Sequence, residues 1–224
     1  MDIIINDNWR FNLDEDMLVK VLKLRNDNMI ENVMKVAREA SRHVKAKYIF
    51  SECAIEETGE DYVKLGGIEF KSRILANKLK DCDMVFPYFA TCGLEVTEHT
   101  KTLEDVFDKY VSEKVEYLAL TQIREKMRDK IKDDYNVHGI SHINPGSIQG
   151  WSTVEVNKVF ELLGGKPLEL GISVLSSGMI NPVRSVSGFM FLSEDEFHNC
   201  ILCRKQDCPN RKAEFNEEEY INSL

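Results

Sequence analysis

The chain has 224 residues, 43% of them hydrophobic, which is enough for the core of one large domain or two small ones. Its 38 acidic and 29 basic residues give a net charge of -9, which repels phosphate backbones and argues against a nucleic-acid partner. No apolar run is long enough to span a bilayer, and the first ten residues do not resemble a signal peptide. We therefore expect a cytoplasmic protein that makes no membrane contact.

The first third of the chain predicts two helices and a hairpin. Two capping boxes each open a run of apolar residues that keeps a period of 3.6. Alternating apolar residues follow, and a Thr-Gly turn joins the two predicted strands. The elements are the capping boxes Asn12 to Glu15 and Asn28 to Glu31, and the hairpin strands 48–55 and 62–70.

A short helix, a buried strand and a long helical stretch come next. Ser72 stands where an N-cap would stand for a helix ending at Leu79. Residues 84–91 are almost entirely apolar, which is typical of a buried strand, and Cys92-Gly93 ends that run. Residues 102–135 carry apolar side chains at helical spacing, so they predict one long helix or a pair of helices.

Turns that contain glycine or proline divide residues 139–188. Asn144-Pro145-Gly146 cannot continue a helix, because proline lacks its N–H and glycine readily takes a positive φ. Ser152 begins a predicted helix that Gly164-Gly165 ends, and residues 170–175 and 185–191 predict strands. Helices and strands neither alternate strictly nor segregate, which favours an α+β domain with a mostly antiparallel sheet.

Two of these turns are candidates for a binding site. The backbone at Pro145-Gly146 and at Ser187-Gly188 can approach a ligand closely, so the two loops could hold a small molecule between them. The alternative is that both are plain turns, which from the residues alone is the commoner outcome. The chain contains no nucleophile elbow, phosphate-binding loop or dinucleotide fingerprint, so hydrolase, NTPase and dehydrogenase functions are disfavoured.

The order of these motifs resembles the activation domain of cobalamin-dependent methionine synthase. The resemblance covers roughly residues 85 to 195 and implies a bent, mostly antiparallel sheet with long helices. On this basis we divide the chain into a helical and hairpin part (1–82), an activation-domain-like core (83–195) and a cysteine-containing C-terminal segment (196–224). The matching residues are Phe89 to Glu95, Gly139-Ile140, Pro145-Gly146, Glu161 to Leu163, Met179, Pro182 and Ser185 to Gly188.

The resemblance also implies a function. The chain would dock on a cobalamin-binding methionine synthase or another corrinoid protein whose cofactor has been oxidised to the cob(II) state. It would hold S-adenosylmethionine against the corrin while an electron donor such as flavodoxin or ferredoxin supplies an electron. Its own contribution would be positioning, while the cofactors carry the chemistry.

Seven positions match the parts of the family that hold S-adenosylmethionine. Three of them depart from the family pattern: His142 stands in place of an arginine, Asn144 in place of an alanine, and Met190 in place of the tyrosine of a Tyr-Phe pair. An arginine clamps a carboxylate through two hydrogen bonds at any physiological pH, whereas a histidine offers one bond and a charge that depends on pH. The predicted cofactor-binding residues are Glu125, His142, Asn144, Pro145, Gly146, Met190 and Phe191.

A cluster of cysteines near the C-terminus is a separate signal. Cys200, Cys203 and Cys208 fall within nine residues, beside several lysines and arginines that favour thiolates. This spacing suits an iron–sulfur cluster or zinc, with Cys92 as the first candidate for a fourth ligand and His198 as the second. Three reduced thiols remain an alternative. The corresponding other functions are an iron–sulfur reductive activator of corrinoid proteins and a non-catalytic, zinc-containing docking module.

Overall fold

A computed structural model describes residues 2–193, 197–205, 207 and 211–222. The helices are α1 (Glu15–Leu22), α2 (Asp27–Arg42), α3 (Arg73–Leu79), α4 (Leu94–Thr102), α5 (Val106–Tyr135), α6 (Val156–Leu162) and α7 (Glu217–Asn222). The strands are β1 (Ile3–Asn6), β2 (Lys47–Ser51), β3 (Cys53–Thr58), β4 (Tyr62–Leu65), β5 (Ile68–Lys71), β6 (Met84–Thr91), β7 (Ile140–Ile143), β8 (Ser173–Val174), β9 (Ile180–Asn181) and β10 (Ser185–Leu192).

Eight of the described strands form one sheet around β6. One edge of β6 pairs with β2 and then β3, and its other edge pairs with β10. The sheet continues through β1 beside β2, through β4 and β5 beyond β3, and through β7 beside β10. All these pairs are antiparallel, so the α+β class with a mostly antiparallel sheet is confirmed.

Successive side chains of β6 point to opposite faces of the sheet, and each face has its own hydrophobic core. Phe86, Tyr88 and Ala90 point to a layer that α2, α4 and α5 cover. Val85 and Phe89 point to the opposite layer, which holds α3, α6 and the C-terminal segment. Because both faces are buried, residues 84–91 are almost entirely apolar, and the predicted strand is confirmed at the same bounds.

Local capping predictions were correct where the cap had no competitor nearby. The Ser72 hydroxyl accepts the Leu75 amide at 3.1 Å, as predicted for α3. At α1 the cap is Asp14, whose carboxylate accepts the Met17 amide at 2.8 Å, and not Asn12. Likewise Asn26, and not Asn28, caps α2. Several cap-forming residues precede each of these two helices, so tertiary packing decides which one caps it.

The structure decides one open alternative and corrects one predicted strand. The stretch at 102–135 is one long helix and not a pair: Asp105 caps the start of the 30-residue α5, and the separate helix α4 ends at Thr102. The strand predicted at 170–175 is only β8, which pairs with β9. A 3₁₀ helix occupies Lys166–Leu170, and Gly171, with φ of +77°, ends that helix. No described helix has the length and apolar character needed to cross a membrane.

Candidate functional site

A cavity of about 530 Å³ lies where the turn after β7 meets the beginning of β10. The turn contributes Asn144, Pro145 and Gly146, and β10 contributes Ser185 to Ser187. The β8–β9 hairpin and the start of α6 form the remaining wall, and Arg124 of α5 reaches the cavity from the opposite layer. The two sequence candidates therefore lie on the same side of the sheet, with open space between them, but only Asn144 to Gly146 is a turn, because Ser187-Gly188 lies within β10.

The side chain of Asn144 connects the turn after β7 to the start of β10. Its side-chain amide donates hydrogen bonds to the Tyr88 hydroxyl at 2.6 Å and to the Ser187 carbonyl at 2.7 Å. Gly188 permits this approach, since a Cβ there would lie 2.6 Å from the Asn144 amide nitrogen and even closer to the Ile143 carbonyl oxygen. Asn144 is 7% exposed, so its side chain builds the wall of the cavity and has little surface left for a ligand.

Two glycines bring the other walls together. Gly146 has φ of +76°, and its amide donates to the Trp151 carbonyl at 2.8 Å, which closes the turn. Gly178 has φ of +82°, and a Cβ there would lie 2.9 Å from the Cα of Val154. The backbone of the β8–β9 hairpin thus packs directly on a 3₁₀ turn, Thr153–Glu155, that leads into α6.

The predicted cofactor-binding residues separate into three groups. His142, Asn144, Pro145 and Gly146 line the cavity. Glu125 lies outside it, along a second, smaller cavity, and its carboxylate is 3.5 Å from the Arg128 guanidinium. The predicted role of Glu125 in this cavity therefore has no geometric support.

Met190 and Phe191 also lie away from the cavity. Met190 is 0% exposed in the core against α5, and Phe191 is 3% exposed in the core on the opposite face. β10 runs inward between β6 and β7, so only its first three residues reach the cavity. The structure does not support a contact between these two side chains and the ligand, because β10 has entered the core before it reaches Met190.

Three polar groups at the cavity have no hydrogen-bond partner among the described residues. They are the hydroxyl of Ser187, which is 3% exposed, Nε of Arg124 and Oδ1 of Asn199. Buried polar atoms are seldom left unpaired in native proteins, so all three are suited to contact a ligand. Sequence reasoning overlooked Arg124, although Leu120, Arg124 and Arg128 recur every four residues and share one face of α5.

His142 is uncharged at neutral pH. Burial lowers the pKa of its imidazole to about 3, and the charges of Arg124, Arg128, His198 and Lys212 act in the same direction. His142 therefore cannot replace the charge of the arginine that the family pattern has at this position. Arg124, which lines the same cavity, carries a permanent positive charge.

The depressed pKa of His142 predicts that the free energy of unfolding falls on acidification. The unfolded chain, with a histidine pKa near 6.5, binds a proton that the folded chain does not bind until about pH 3. Between these values we expect His142 to contribute a loss of about 1.4 kcal/mol per pH unit as the pH falls. Urea unfolding of wild type and His142→Gln from pH 7 to pH 4 measures this contribution. A loss of stability that is equally steep in both proteins contradicts it, and His138→Gln, which removes an exposed histidine, is the control.

The cysteines predicted to bind a metal do not all converge. Cys92 is fully buried beside α4, where its sulfur lies 3.9 Å from the Thr97 hydroxyl, and burial raises its pKa to about 12. Cys200 and Cys203 line different cavities, and Cys208 lies outside the described residues. No group of three or more His, Cys, Asp or Glu in the described part of the chain is arranged to hold a metal ion. The described residues therefore give no support to Cys92 as a fourth ligand.

An arginine organises the segment around Cys200 and Cys203. The Arg211 guanidinium donates hydrogen bonds to the carbonyls of Cys200, Cys203, Lys205 and Ala213 at 2.6 to 3.1 Å. The Cys200 sulfur accepts the Lys212 amide at 3.4 Å. One guanidinium thus binds four carbonyls and connects the two described parts of this segment.

Comparisons with known proteins identify the fold. No protein-family model matches the chain, and no curated protein matches it. A solved structure of the MetH reactivation domain bound to AdoHcy superposes with a TM-score of 0.65 and 12% sequence identity. The match covers 88% of this chain and 80% of that chain. The resemblance read from the motifs is thus confirmed at the level of structure, and the chain has the fold of the MetH reactivation domain.

Proposed function

We propose that this chain binds S-adenosylmethionine in the 530 Å³ cavity and acts as a reactivation module for a cobalamin-dependent methionine synthase or a related corrinoid methyltransferase. The observation that carries the proposal is the cavity itself: the turn after β7 and the start of β10 enclose open space in a fold whose solved counterpart holds AdoHcy. The volume lies within the range of roughly 300 to 1,000 Å³ that is usual for small-molecule sites.

The residues of the cavity suit an amphipathic ligand of this kind. Val156 and Ile180 supply apolar surface, and the unpaired Ser187 hydroxyl supplies a donor and an acceptor. Arg124 supplies a permanent cation for the ligand carboxylate, a role that the neutral His142 cannot perform. The position of the charge thus differs from the family pattern, while the class of ligand remains the same.

The chain would act by positioning. In the proposed step an external donor supplies one electron to the cob(II) form of a partner's corrinoid, the cobalt accepts the methyl group of S-adenosylmethionine, and AdoHcy is the product that leaves. The two glycine turns and Asn144 hold the walls of the cavity, which keeps a bound ligand in one orientation. Exposed apolar side chains surround the opening, including Met179 at 57% and Val183 at 70% exposure, and such patches commonly mark interaction surfaces.

Calorimetric titration with AdoHcy tests the proposed ligand. We expect saturable binding to one site, for which S-adenosylmethionine competes well and inosine competes much more weakly, since inosine lacks the amino acid group. The absence of heat at millimolar AdoHcy would contradict the proposal. Because AdoHcy has no methyl group to transfer, this measurement is independent of the corrinoid partner.

The apolar rim predicts a second result. Val154→Asp and Leu175→Asp place charges beside the opening without altering residues that line the cavity. We expect each change to weaken association with a cobalamin-loaded methionine synthase that lacks its own reactivation domain at least tenfold, while AdoHcy affinity is unchanged. Surface plasmon resonance measures the association. Val106→Asp is the matched control, because Val106 is 80% exposed at the start of α5, away from the opening. An equal effect of all three variants would show that the rim has no special role.

The proposal does not include a resident metal. An iron–sulfur or structural zinc site usually takes four ligands, and Cys200 and Cys203 do not line a common cavity. In the proposed reaction the electron comes from a separate donor, such as flavodoxin or ferredoxin.

A further inference from the structure

A second cavity of about 300 Å³ lies between α5 and the C-terminal segment, and nothing in the proposed function requires it. Arg124, His142 and Asn199 line both this cavity and the larger one. Its remaining wall comes from the outer face of α5 and from His198, Cys200 and Lys212 of the C-terminal segment. It is thus a side chamber of the larger cavity with its own set of residues.

The side chamber is strongly cationic. Arg124, Arg128 and Lys212 are permanently charged, and Glu125 is the one acidic residue among the described residues that line it. These four residues leave a net charge of +2, before protonation of His142 or His198. The protein as a whole has a net charge of -9, so this cavity concentrates positive charge in an otherwise acidic molecule. Such a local positive potential attracts an anion.

One of the cationic groups, Arg128, is held in place before any ligand arrives. Arg128 is 8% exposed, and its Nη2 donates to the Ile140 carbonyl at 3.2 Å while its Nη1 lies 3.5 Å from Glu125. Nε of Arg124 is buried and has no hydrogen-bond partner among the described residues, and the same is true of Nδ1 of His198. A buried polar atom without a hydrogen-bond partner lowers stability, so a ligand that hydrogen-bonds to these atoms would remove that cost.

We propose that the side chamber binds a small tetrahedral oxyanion of the phosphate type, either free or as the phosphate monoester of a larger molecule. Guanidinium groups match phosphate oxygens through paired N–H donors, and Lys212 adds a third, more mobile charge from the rim. A phosphate also carries close to two negative charges at neutral pH, which balances the charge of the chamber. Burial is the main cause of the low pKa of His142, and the uncompensated cations around it lower that pKa further.

Titration with inorganic phosphate tests the site. We expect saturable calorimetric binding below millimolar concentration at pH 7.5, with ionic strength held constant by chloride. Lys212→Met should weaken it at least tenfold, while Lys126→Met should change it by less than twofold. Both lysines are exposed, so neither change is expected to disturb the fold, but Lys126 does not line the chamber. An adventitious interaction predicts the same small effect for both variants, and that result, or no saturable binding at all, would overturn the proposal.

Three further measurements identify the source of the anion, place it beside His142 and distinguish the two cavities. Glycerol phosphate that binds as tightly as inorganic phosphate indicates the anionic group of a larger molecule, whereas binding of inorganic phosphate alone indicates a free ion. Bound phosphate should raise the pKa of His142 in an NMR titration of wild type but not of Lys212→Met. Lys212→Met should leave AdoHcy affinity unchanged, since Lys212 does not line the larger cavity. Loss of AdoHcy binding with phosphate binding intact would contradict only the proposed function.

Discussion

Gly178→Ala is expected to lower the melting temperature far more than Gly171→Ala, although both glycines have nearly the same backbone conformation. Gly178 has φ of +82° and Gly171 has φ of +77°, so both substitutions incur the cost of a left-handed residue, about 1 to 2 kcal/mol. Only at Gly178 does the new methyl group meet backbone, 2.5 Å from the Thr153 carbonyl carbon and 2.9 Å from the Cα of Val154.

Backbone cannot move aside as a side chain can, so Gly178→Ala should lose a further 1 to 3 kcal/mol or so through overpacking. For a domain of this size each kcal/mol corresponds to roughly 2 to 4 °C in melting temperature. Gly171→Ala has open space around its methyl group and isolates the conformational cost. Differential scanning calorimetry of the two variants and wild type gives the comparison. Equal losses would mean that the hairpin does not pack on Thr153 as described, and the wall of the proposed ligand cavity would then be wrong.

Arg124→Met should weaken AdoHcy binding by about 10- to 100-fold, because charge-assisted hydrogen bonds contribute roughly 1.5 to 3 kcal/mol each. Arg124 is the only residue with a permanent charge among the described residues that line the larger cavity. Methionine retains much of the apolar volume of the arginine stem, so the substitution removes mainly the charge and the donors. Calorimetric titration with AdoHcy measures the change, and Lys126→Met, on the exposed side of the same helix, is the control.

Comparison with adenosine shows whether Arg124 acts on the carboxylate. Adenosine lacks that group, so its affinity should be nearly the same for wild type and Arg124→Met. If adenosine and AdoHcy lose affinity equally, Arg124 shapes the cavity and does not bind the carboxylate. Arg124 also lines the side chamber, so its substitution should weaken phosphate binding as well, whereas Lys212→Met should affect phosphate alone.

The elements that local rules specify were predictable from the sequence. Residues 84–91 form a strand at the predicted bounds. Both faces of this strand are covered, and a strand of that kind is made almost entirely of apolar residues. Ser72 caps α3 because its hydroxyl is the only suitable acceptor at that point. The turn at Asn144 to Gly146 forms because of the backbone limits of proline and glycine. Each of these outcomes depends on residues within a few positions of one another.

The errors at the site arose where long-range packing decides which way a side chain faces. Glu125 and Arg124 are adjacent in α5, but only Arg124 reaches the larger cavity. Met190 is two residues beyond Gly188, but β10 has by then entered the core. Cys92 precedes a tight turn, as a metal ligand often does, but it is buried beside α4 and away from the other cysteines.

The sequence by itself determined the turns, the caps, most helices and strands and the order of motifs that resembles the activation domain, because these depend on the steric and hydrogen-bonding limits of short segments. The tertiary structure alone decided that the turn after β7 and the start of β10 enclose one cavity, that Arg124 supplies its charge and that His142 is neutral. These properties depend on distances between α5, β7 and β10, which are far apart in the chain, and on the exclusion of water between them. Burial and the electric field of neighbouring groups act through space, so they emerge only when the chain has folded.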